Sequence, residues 1–404
     1  MSLETAAETL AKRLASMEYV EIYSHYDADG IASAAIMSIA LNRANIAFKL
    51  RILPGIHEDD VENPECSLLC DFGASCTGLV ESTMIIDHHV PYNTSPNHVN
   101  PRSCGEDGET ELSAAGCAYL VANALGDNRD LAGLVMLGII GDNQSISGRN
   151  AKIVGDAVAN NLINPGRGIL MPGRTTKEQI AISLHPFLPN LSGETKKAEA
   201  IESACTSKIS DDDYTSCILS RIALESDASY QALMNLYGES WSLEREVIQN
   251  AHAFTAVVDA CGKVGKSGIA YALCCGDASY VDEAWNTAIA HRNHIIEAVK
   301  SAEKISETPC IWRVNDASSA SDAADVLIES ADVPMFVVGR GSASVRVSAR
   351  APAGCAVNLE QIMKSAAESC GGSGGGHYSR AGADVPLECE NEFLKKLEAA
   401  ASCT

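Results

Sequence analysis

Aromatic side chains are scarce, at 5% of the 404 residues. A long platform that stacks successive bases needs many of them, so any grip on a polymer must be short. Cations are outnumbered too, with 30 Lys and Arg against 53 Asp and Glu and a formal net charge of −23. That balance excludes broad, sequence-blind coating of a polyanion but leaves room for a local basic patch or a metal-bridged contact to phosphate. No apolar run approaches the roughly 20 residues that span a bilayer. The stretch Met1–Arg13 mixes Glu4, Glu8, Lys12 and Arg13 with alanines, the pattern of an amphipathic helix and not of a secretory signal. A soluble cytoplasmic protein with no membrane partner is the expectation. Cysteine is plentiful, at 15, yet Cys-x-x-Cys spacing does not occur, which removes the zinc-finger reading. Dispersed thiols without an export signal suit reduced core cysteines better than disulfides.

What is present starts with length. A chain of 404 residues exceeds one typical core, so two or three domains are expected. Its 46% hydrophobic and 21% charged residues are ordinary for a globular protein. Strand and helix signals alternate over the first third, as a parallel sheet requires. An apolar strand over Tyr19–Ser24 is followed by a helix at Ile31–Asn42 and a second strand at Phe48–Leu53. Further strand-like runs are Cys66–Cys70 and Thr83–Ile86, and Ser113–Leu125 and Asp130–Ile140 read as helices. From Ala151 to Val299 the pattern is mostly helical, with a strand expected at Ile269–Cys274 and turns at Asn164-Pro165-Gly166 and Leu184–Ser192. A smaller α/β unit closes the chain, with strands at Cys310–Val314, Pro334–Val338 and Ser344–Ala349 and a glycine loop at Gly371–Gly376. The predicted fold class is α/β. It has an N-terminal parallel-sheet domain at 1–160, a helical middle region at 161–304 and a smaller C-terminal α/β domain at 305–404.

Four of these segments end in acids. Ser24-His25-Tyr26-Asp27-Ala28-Asp29-Gly30 follows the first strand, Asp71 the third apolar run and Asp87-His88-His89 the fourth, while Asp142 ends Gly138-Ile139-Ile140-Gly141-Asp142. In extended backbone His25, Asp27 and Asp29 would share a face. Side chains at the carboxyl ends of parallel strands converge on one crevice. Each piece alone has a plain structural reading, because aspartates populate turns and helix caps and a histidine can be a satisfied core residue. Asp142 is harder to explain so, since an anion at a helix C-terminus wants a compensating cation. Together they predict a metal site. Asp27, Asp29, Asp71, Asp142, His25 and His88 exceed what one octahedral cation takes from protein. The count therefore points to two metals, about 3.5–4 Å apart where such pairs clamp a phosphoryl displacement. Mixed imidazole and carboxylate ligands favour Mn2+ over Ca2+, with Mg2+ also open. The glycine run Gly371–Gly376 by itself reads equally as a linker. His377 and Arg380 beyond it shift the balance, because glycines let amides approach a phosphate and arginine offers a planar fork for its oxygens.

The order His25-x-Asp27-x-Asp29-Gly30, Asp71, Asp87-His88-His89, Gly138-x-x-Gly141-Asp142 resembles the motifs of the DHH phosphoesterase superfamily. That group holds RecJ exonucleases, oligoribonucleases, cyclic-dinucleotide phosphodiesterases and family II inorganic pyrophosphatases. Gly374-Gly375-Gly376-His377-x-x-Arg380-Ala381-Gly382 resembles the glycine motif of the DHH-associated domain, departing from it where many relatives have two alanines before the last glycine. The resemblance implies a first metal on His25, Asp27 and Asp71 and a second on Asp29, Asp71, His88 and Asp142, with Asp71 bridging. It gives catalytic roles to Asp71, to His89 against the scissile phosphate, and to Asp87, which orients the histidines. It assigns substrate contacts to Arg350, Gly374, Gly375, Gly376, His377 and Arg380.

The middle stretches Asn164–Arg174 and His185–Gly193 look like the archaeal RecJ-like nucleases, including those associated with the GINS replication complex. The implied function is a two-metal phosphodiesterase of DNA replication and repair. It would act as a single-strand-specific exonuclease on DNA, RNA or short oligonucleotides and release nucleoside monophosphates, with GINS as a partner. An oligoribonuclease, a cyclic-dinucleotide phosphodiesterase and a mainly structural GINS-binding replisome subunit stand as alternatives.

Overall fold

The computed structural model describes residues 2–92, 95–207, 210–352 and 354–401. The chain forms two compact units, Met1–Pro172 with Gly238–Ile289, and Gly173–Tyr237 with Ala290–Thr404. The stretch 161–304 is thus shared between them.

The first unit opens with α1 (Leu3–Ala15), β1 (Tyr19–His25), α2 (Ala28–Arg43), β2 (Ala47–Leu53), β3 (Ser67–Cys70), β4 (Met84–Ile86) and β5 (His98–Val99). Helices α3 (Ala114–Leu125), α4 (Ala132–Gly141) and α5 (Gly148–Ala159) and strand β6 (Ile163–Ile169) follow. The five strands β1 to β5 form a parallel sheet in the order β2-β1-β3-β4-β5. Because β2 lies on one side of β1 and β3 on the other, the winding reverses at β1, and a crevice opens at the carboxyl ends there.

Period-two alternation sorts the strand side chains between the two faces. Val20, Ile22, Leu68, Cys70, Met84 and Ile86 join the large core with the helices, whereas Tyr23, Leu69 and Ile85 join Val61 in a smaller cluster. Ile22, Ile31, Leu41 and Leu68 are fully buried, each contributing roughly 1.5–3 kcal/mol by leaving water. This packing fixes the strand ends that carry the acids. Helix α2 is buried almost all round, and its many alanines let α3 and α4 approach it closely.

The chain continues through α6 (Thr176–Ala181), α7 (Thr195–Cys205), α8 (Asp211–Glu225), α9 (Tyr230–Met234), and β7 (Tyr237–Leu243), which pairs with β6. After α10 (Ala251–Lys263), α11 (Ser267–Cys274) and α12 (Val281–Lys300) come β8 (Glu303–Ser306), β9 (Cys310–Val314), α13 (Ala320–Ile328), β10 (Met335–Arg340) and β11 (Ser344–Arg350). The last elements are α14 (Leu359–Glu368), β12 (Ser373–Gly376), β13 (Arg380–Pro386) and α15 (Glu390–Ala401). Strands β8 to β13 form the second unit's sheet, ordered β12-β13-β11-β10-β9-β8, in which β9 and β10 are parallel and the other pairs antiparallel. On one face Val345, Val347 and Ala349 meet Met363, Ala367, Phe393 and Leu397 of α14 and α15, and on the other Val314 and Val337 meet Ala320, Ala323 and Ala324 of α13.

Four local expectations change. Ile269–Cys274 lies in helix α11, and its buried residues Ala270, Leu273 and Cys274 have helical spacing that a short apolar run conceals. Asn164-Pro165-Gly166 lies inside β6, an exposed strand, and makes no turn. Most of the expected glycine loop is the edge strand β12, paired along β13. Finally, Cys205 and Cys217 form a disulfide between α7 and α8, their Cα atoms 5.8 Å apart, a spacing that the bridge requires. Among the described residues, no helix is long and apolar enough to cross a membrane.

Candidate metal centre

The acids gather at the carboxyl ends of β1, β3 and β4. His25 ends β1, and its Nδ1 lies 2.8 Å from Asp27 Oδ2 and 3.3 Å from Asp71 Oδ2. Asp27 is the N-cap of α2, its Oδ1 accepting from the Gly30 amide at 2.9 Å. Asp29 stands in the first turn of that helix, where its two oxygens accept from the amides of Ala114 and Ala115 at 2.7 and 2.8 Å. The two aspartates are therefore brought together by a helix start and not by strand alternation. They face different neighbours. Asp27 groups with His25 and Asp71, and Asp29 groups with His88 and Asp142.

Asp71 follows β3 in the left-handed region, at φ 58, a conformation non-glycine residues adopt under constraint. Its amide donates to the Ile86 carbonyl at 2.9 Å. That backbone tie turns the carboxylate inward, between His25 on one side and His88 on the other, whose Nε2 is 3.6 Å from Oδ1. His88 Nδ1 donates to the Gly108 carbonyl at 2.6 Å, because a carbonyl oxygen can only accept. This fixes the tautomer that leaves Nε2 free as a ligand, 3.3 Å from Asp142 Oδ2 and 3.9 Å from Asp29 Oδ2. Asp142 caps the C-terminus of α4.

Asp87 differs from the others. Its Oδ1 accepts from the amides of His88 and His89 and from His89 Nδ1 at 2.7 Å, while Oδ2 accepts from the Ala74 amide. Oδ1 thus holds the two histidines, while Oδ2 is tied to the backbone that follows β3. The His89 side chain is one-third exposed, unlike that of His88.

The electrostatics ask for positive charge. Burial, reinforced by Asp27, pushes the Asp71 carboxyl up to about 7. Burial with the charges of Asp29, Asp27 and Asp71 pushes Asp142 well above the carboxylate range, and burial also raises Asp29. Burial opposes the charge on each imidazole, but the carboxylates prevail. Asp27 lifts His25 well above its ordinary value, Asp29 lifts His88, and Asp87 holds His89 at about 9. Asp71 Oδ1 and Asp142 Oδ2 are buried without a hydrogen-bond donor. Buried anionic oxygens are costly unless paired with donors or metal ions. Two donor groups, His25–Asp27–Asp71 and Asp29–His88–Asp142, with Asp71 adjoining both, fit a pair of hard divalent cations.

Several residues here escape notice in the sequence. Gln144 Nε2 also donates to the Gly108 carbonyl, at 3.2 Å, and Asn150 donates to Gln144, so a buried chain of amides holds the support for His88. Against the effect of burial, His25 above all holds the Asp27 carboxyl below its ordinary range, and Lys263, at the end of α10, adds a smaller share. The close approach has a cause, since a Cβ on the adjacent Gly262 would fall 1.7 Å from the Tyr26 carbonyl oxygen.

In the second unit the predicted substrate contacts lie along β11, β12 and β13. Arg380 is more than half exposed, whereas the Arg350 guanidinium is buried and turned onto Asp325. The three glycines are not equivalent. A Cβ at Gly374 would sit 2.6 Å from the Met363 carbonyl oxygen, Gly376 has φ 137, and Gly375 has nothing within 4 Å. The His377 amide donates to the Arg380 carbonyl at 2.6 Å, closing the turn between β12 and β13.

The model of the DHH family, N-terminal domain, matches residues 19–139, and that of the DHHA1 domain matches residues 311–402. The chain is a DHH-family protein. An uncharacterized protein of Methanocaldococcus jannaschii is 25% identical over 411 residues, covering 94% of this chain and 92% of that one. The DHH-family fold is that of RecJ from Thermus thermophilus, in a crystal structure with Mn2+, at a TM-score of 0.63 and 19% identity. That match covers all of this chain but 55% of the RecJ chain. CDC45 from Entamoeba histolytica shares the fold at a TM-score of 0.66 and 12% identity, with 99% of this chain and 98% of that one covered.

Proposed function

We propose that this DHH-family chain is a two-metal phosphodiesterase, a RecJ-like exonuclease that removes nucleoside monophosphates from single-stranded DNA or RNA. One observation carries the reading. Two sets of imidazole and carboxylate ligands adjoin at Asp71, which belongs to the first and lies 3.6 Å from His88 of the second, and the buried oxygens Asp71 Oδ1 and Asp142 Oδ2 accept no hydrogen bond. A chain kept only as a scaffold has no use for such an arrangement, because burying anionic oxygens that accept no hydrogen bond costs stability. The likeness to RecJ crystallised with Mn2+ and with Mg2+ supports a hard divalent cation, and the mixed imidazole and carboxylate ligands favour manganese.

His25, Asp27 and Asp71 would hold the first ion, and Asp29, Asp71, His88 and Asp142 the second. Bound there, divalent cations lower the pKa of water and draw charge from phosphoryl oxygens. The chain's own groups do the rest. Gly108 fixes the His88 tautomer, and the amides of Ala114 and Ala115 hold Asp29 still. Asp87 keeps a proton on His89 Nδ1, so the exposed edge of a positively charged ring can meet a phosphate oxygen. Arg380, with the open backbone at Gly375, offers a second contact to the strand.

End-labelled single strands of DNA and RNA of several lengths, incubated with Mn2+ and resolved on a gel, test this reading. A ladder shortening from one end is expected, and Asp71→Asn should abolish it. Cleavage confined to very short RNA would turn the reading towards an oligoribonuclease. A chain that cuts neither polymer with Mn2+ or Mg2+ would favour the replisome-subunit alternative.

A further inference from the structure

Arg350 and Arg380 stand directly opposite each other on the antiparallel strands β11 and β13. Like charges in such a cross-strand pair repel, and here an anion lies between them. Asp325 of α13 places Oδ1 2.5 Å from Arg350 Nε and 2.9 Å from Arg380 Nη2, and Oδ2 3.1 Å from Arg350 Nη2. Arg350 is otherwise satisfied from within, donating to Ser321 Oγ at 3.0 Å and to the Ala349 carbonyl at 2.9 Å. Its guanidinium is buried, while that of Arg380 is 58% exposed.

We propose that Asp325 is a positioning residue. Anchored by the buried Arg350, it holds the exposed guanidinium of Arg380, at the start of the strand that pairs with β12, where that arginine takes a phosphodiester oxygen of a nucleotide strand. Arg350 then serves the contact from beneath and does not touch the ligand. The trio carries two positive charges and one negative, so a net positive charge remains and it belongs to the exposed arginine. Without the carboxylate the long Arg380 side chain samples many rotamers, and ordering it on binding costs affinity. Charge-assisted pairing to a fixed carboxylate removes much of that cost in advance.

The inference rests on the nuclease reading for its ligand class, and its test separates the two. Binding of a fluorescein-labelled five-nucleotide single strand of DNA is measured by anisotropy in EDTA, for the wild type, Asp325→Asn, Arg380→Ala and the double variant. Asp325→Asn should raise Kd by about fivefold or more, the scale of one charge-assisted contact. In the Arg380→Ala background the same change should add nothing, because Asp325 acts through Arg380. Turnover with Mn2+ should show the loss in KM, with kcat within about twofold. Asp325→Glu, which keeps the charge one methylene away, enters the same cycle should Asp325→Asn fail to fold.

Effects that multiply in the double variant, or an unchanged Kd in a folded Asp325→Asn, would overturn the proposal. Tighter binding would overturn it too, since the carboxylate would then compete with phosphate. An intact binding cycle in a chain that cuts nothing would sink the nuclease reading and leave this one standing. Absence of oligonucleotide binding by the wild type would sink this one.

Discussion

A Cβ added to Gly138 would lie 2.1 Å from Oδ1 of Asp29. The glycine is thus what lets helix α4 descend onto the start of α2 and bring Asp142 to the same place as Asp29. Gly138→Ala should cost about 1–3 kcal/mol through overpacking. It should also weaken Mn2+ binding, because Asp29 has to move. Thermal unfolding with and without Mn2+ reads both effects, and a variant equal to wild type in each would show that the approach has slack.

Asp27, Asp29, Asp71 and Asp142 repel one another when no cation is bound. Asp71→Asn removes one of these charges at the most crowded point, and in EDTA at pH 8 the variant should be more stable than wild type by on the order of 1–2 kcal/mol. Added Mn2+ should raise the wild-type melting temperature by several degrees and the variant's by much less. An Asp71→Asn chain that melts lower in EDTA would mean that the carboxylate is stabilised by its imidazole neighbours more than it is strained.

Glu246 offers a pH test away from the metal centre. Burial, outweighing the Arg245 guanidinium at 3.3 Å and helped by Asp130, pushes its carboxyl up to about 7, and its Oε2 has no donor. The Cys274 thiol also faces it. In the unfolded chain it titrates near the ordinary glutamate value. Between that value and about 7 the folded protein holds the extra proton, so stability should fall as pH rises through this window. Each pH unit of the shift is worth about 1.4 kcal/mol, giving a loss on the order of 2–3 kcal/mol by pH 8. Glu246→Gln should flatten that part of the profile. Denaturant titrations at pH 5 and pH 8 measure it, and equal pH dependence in both chains would contradict the assignment.

The glycine strand β12 can be dissected one position at a time. Gly374→Ala puts a methyl group against the Met363 backbone and should destabilise the fold by about 1–3 kcal/mol. At Gly375 the space is open, so Gly375→Ala should leave stability within about 0.5 kcal/mol yet weaken oligonucleotide binding. Unchanged binding in Gly375→Ala would limit β12 to a structural edge.

Much of this was legible in the sequence, for a physical reason. β1, β3 and β4 are short apolar runs ending in acids, and a parallel sheet must bring such ends together. The α/β class and the grouping of His25, Asp27 and Asp71 follow from that. What was hidden depends on contacts between distant residues. Asp325 reads as one more acid on an amphipathic helix until β11 and β13 set two arginines beside it, and Gly108 and Gln144 gain meaning only through His88. Strands β6 and β7 are largely polar, the first mostly exposed and the second mostly half-buried, so no periodicity marks them. The placement of Asp27 and Asp29 was misjudged because Asp27 acts as a helix cap, starting α2 three residues before the apolar pattern does.

Equilibrium dialysis of the full chain against Mn2+, with Asp71→Asn alongside, tests the central claim most directly. Two ions bound per wild-type chain, and at most one held tightly by the variant, is the predicted result. A wild type that binds none, or a variant that still binds two with the same affinity, would contradict a paired site built around Asp71.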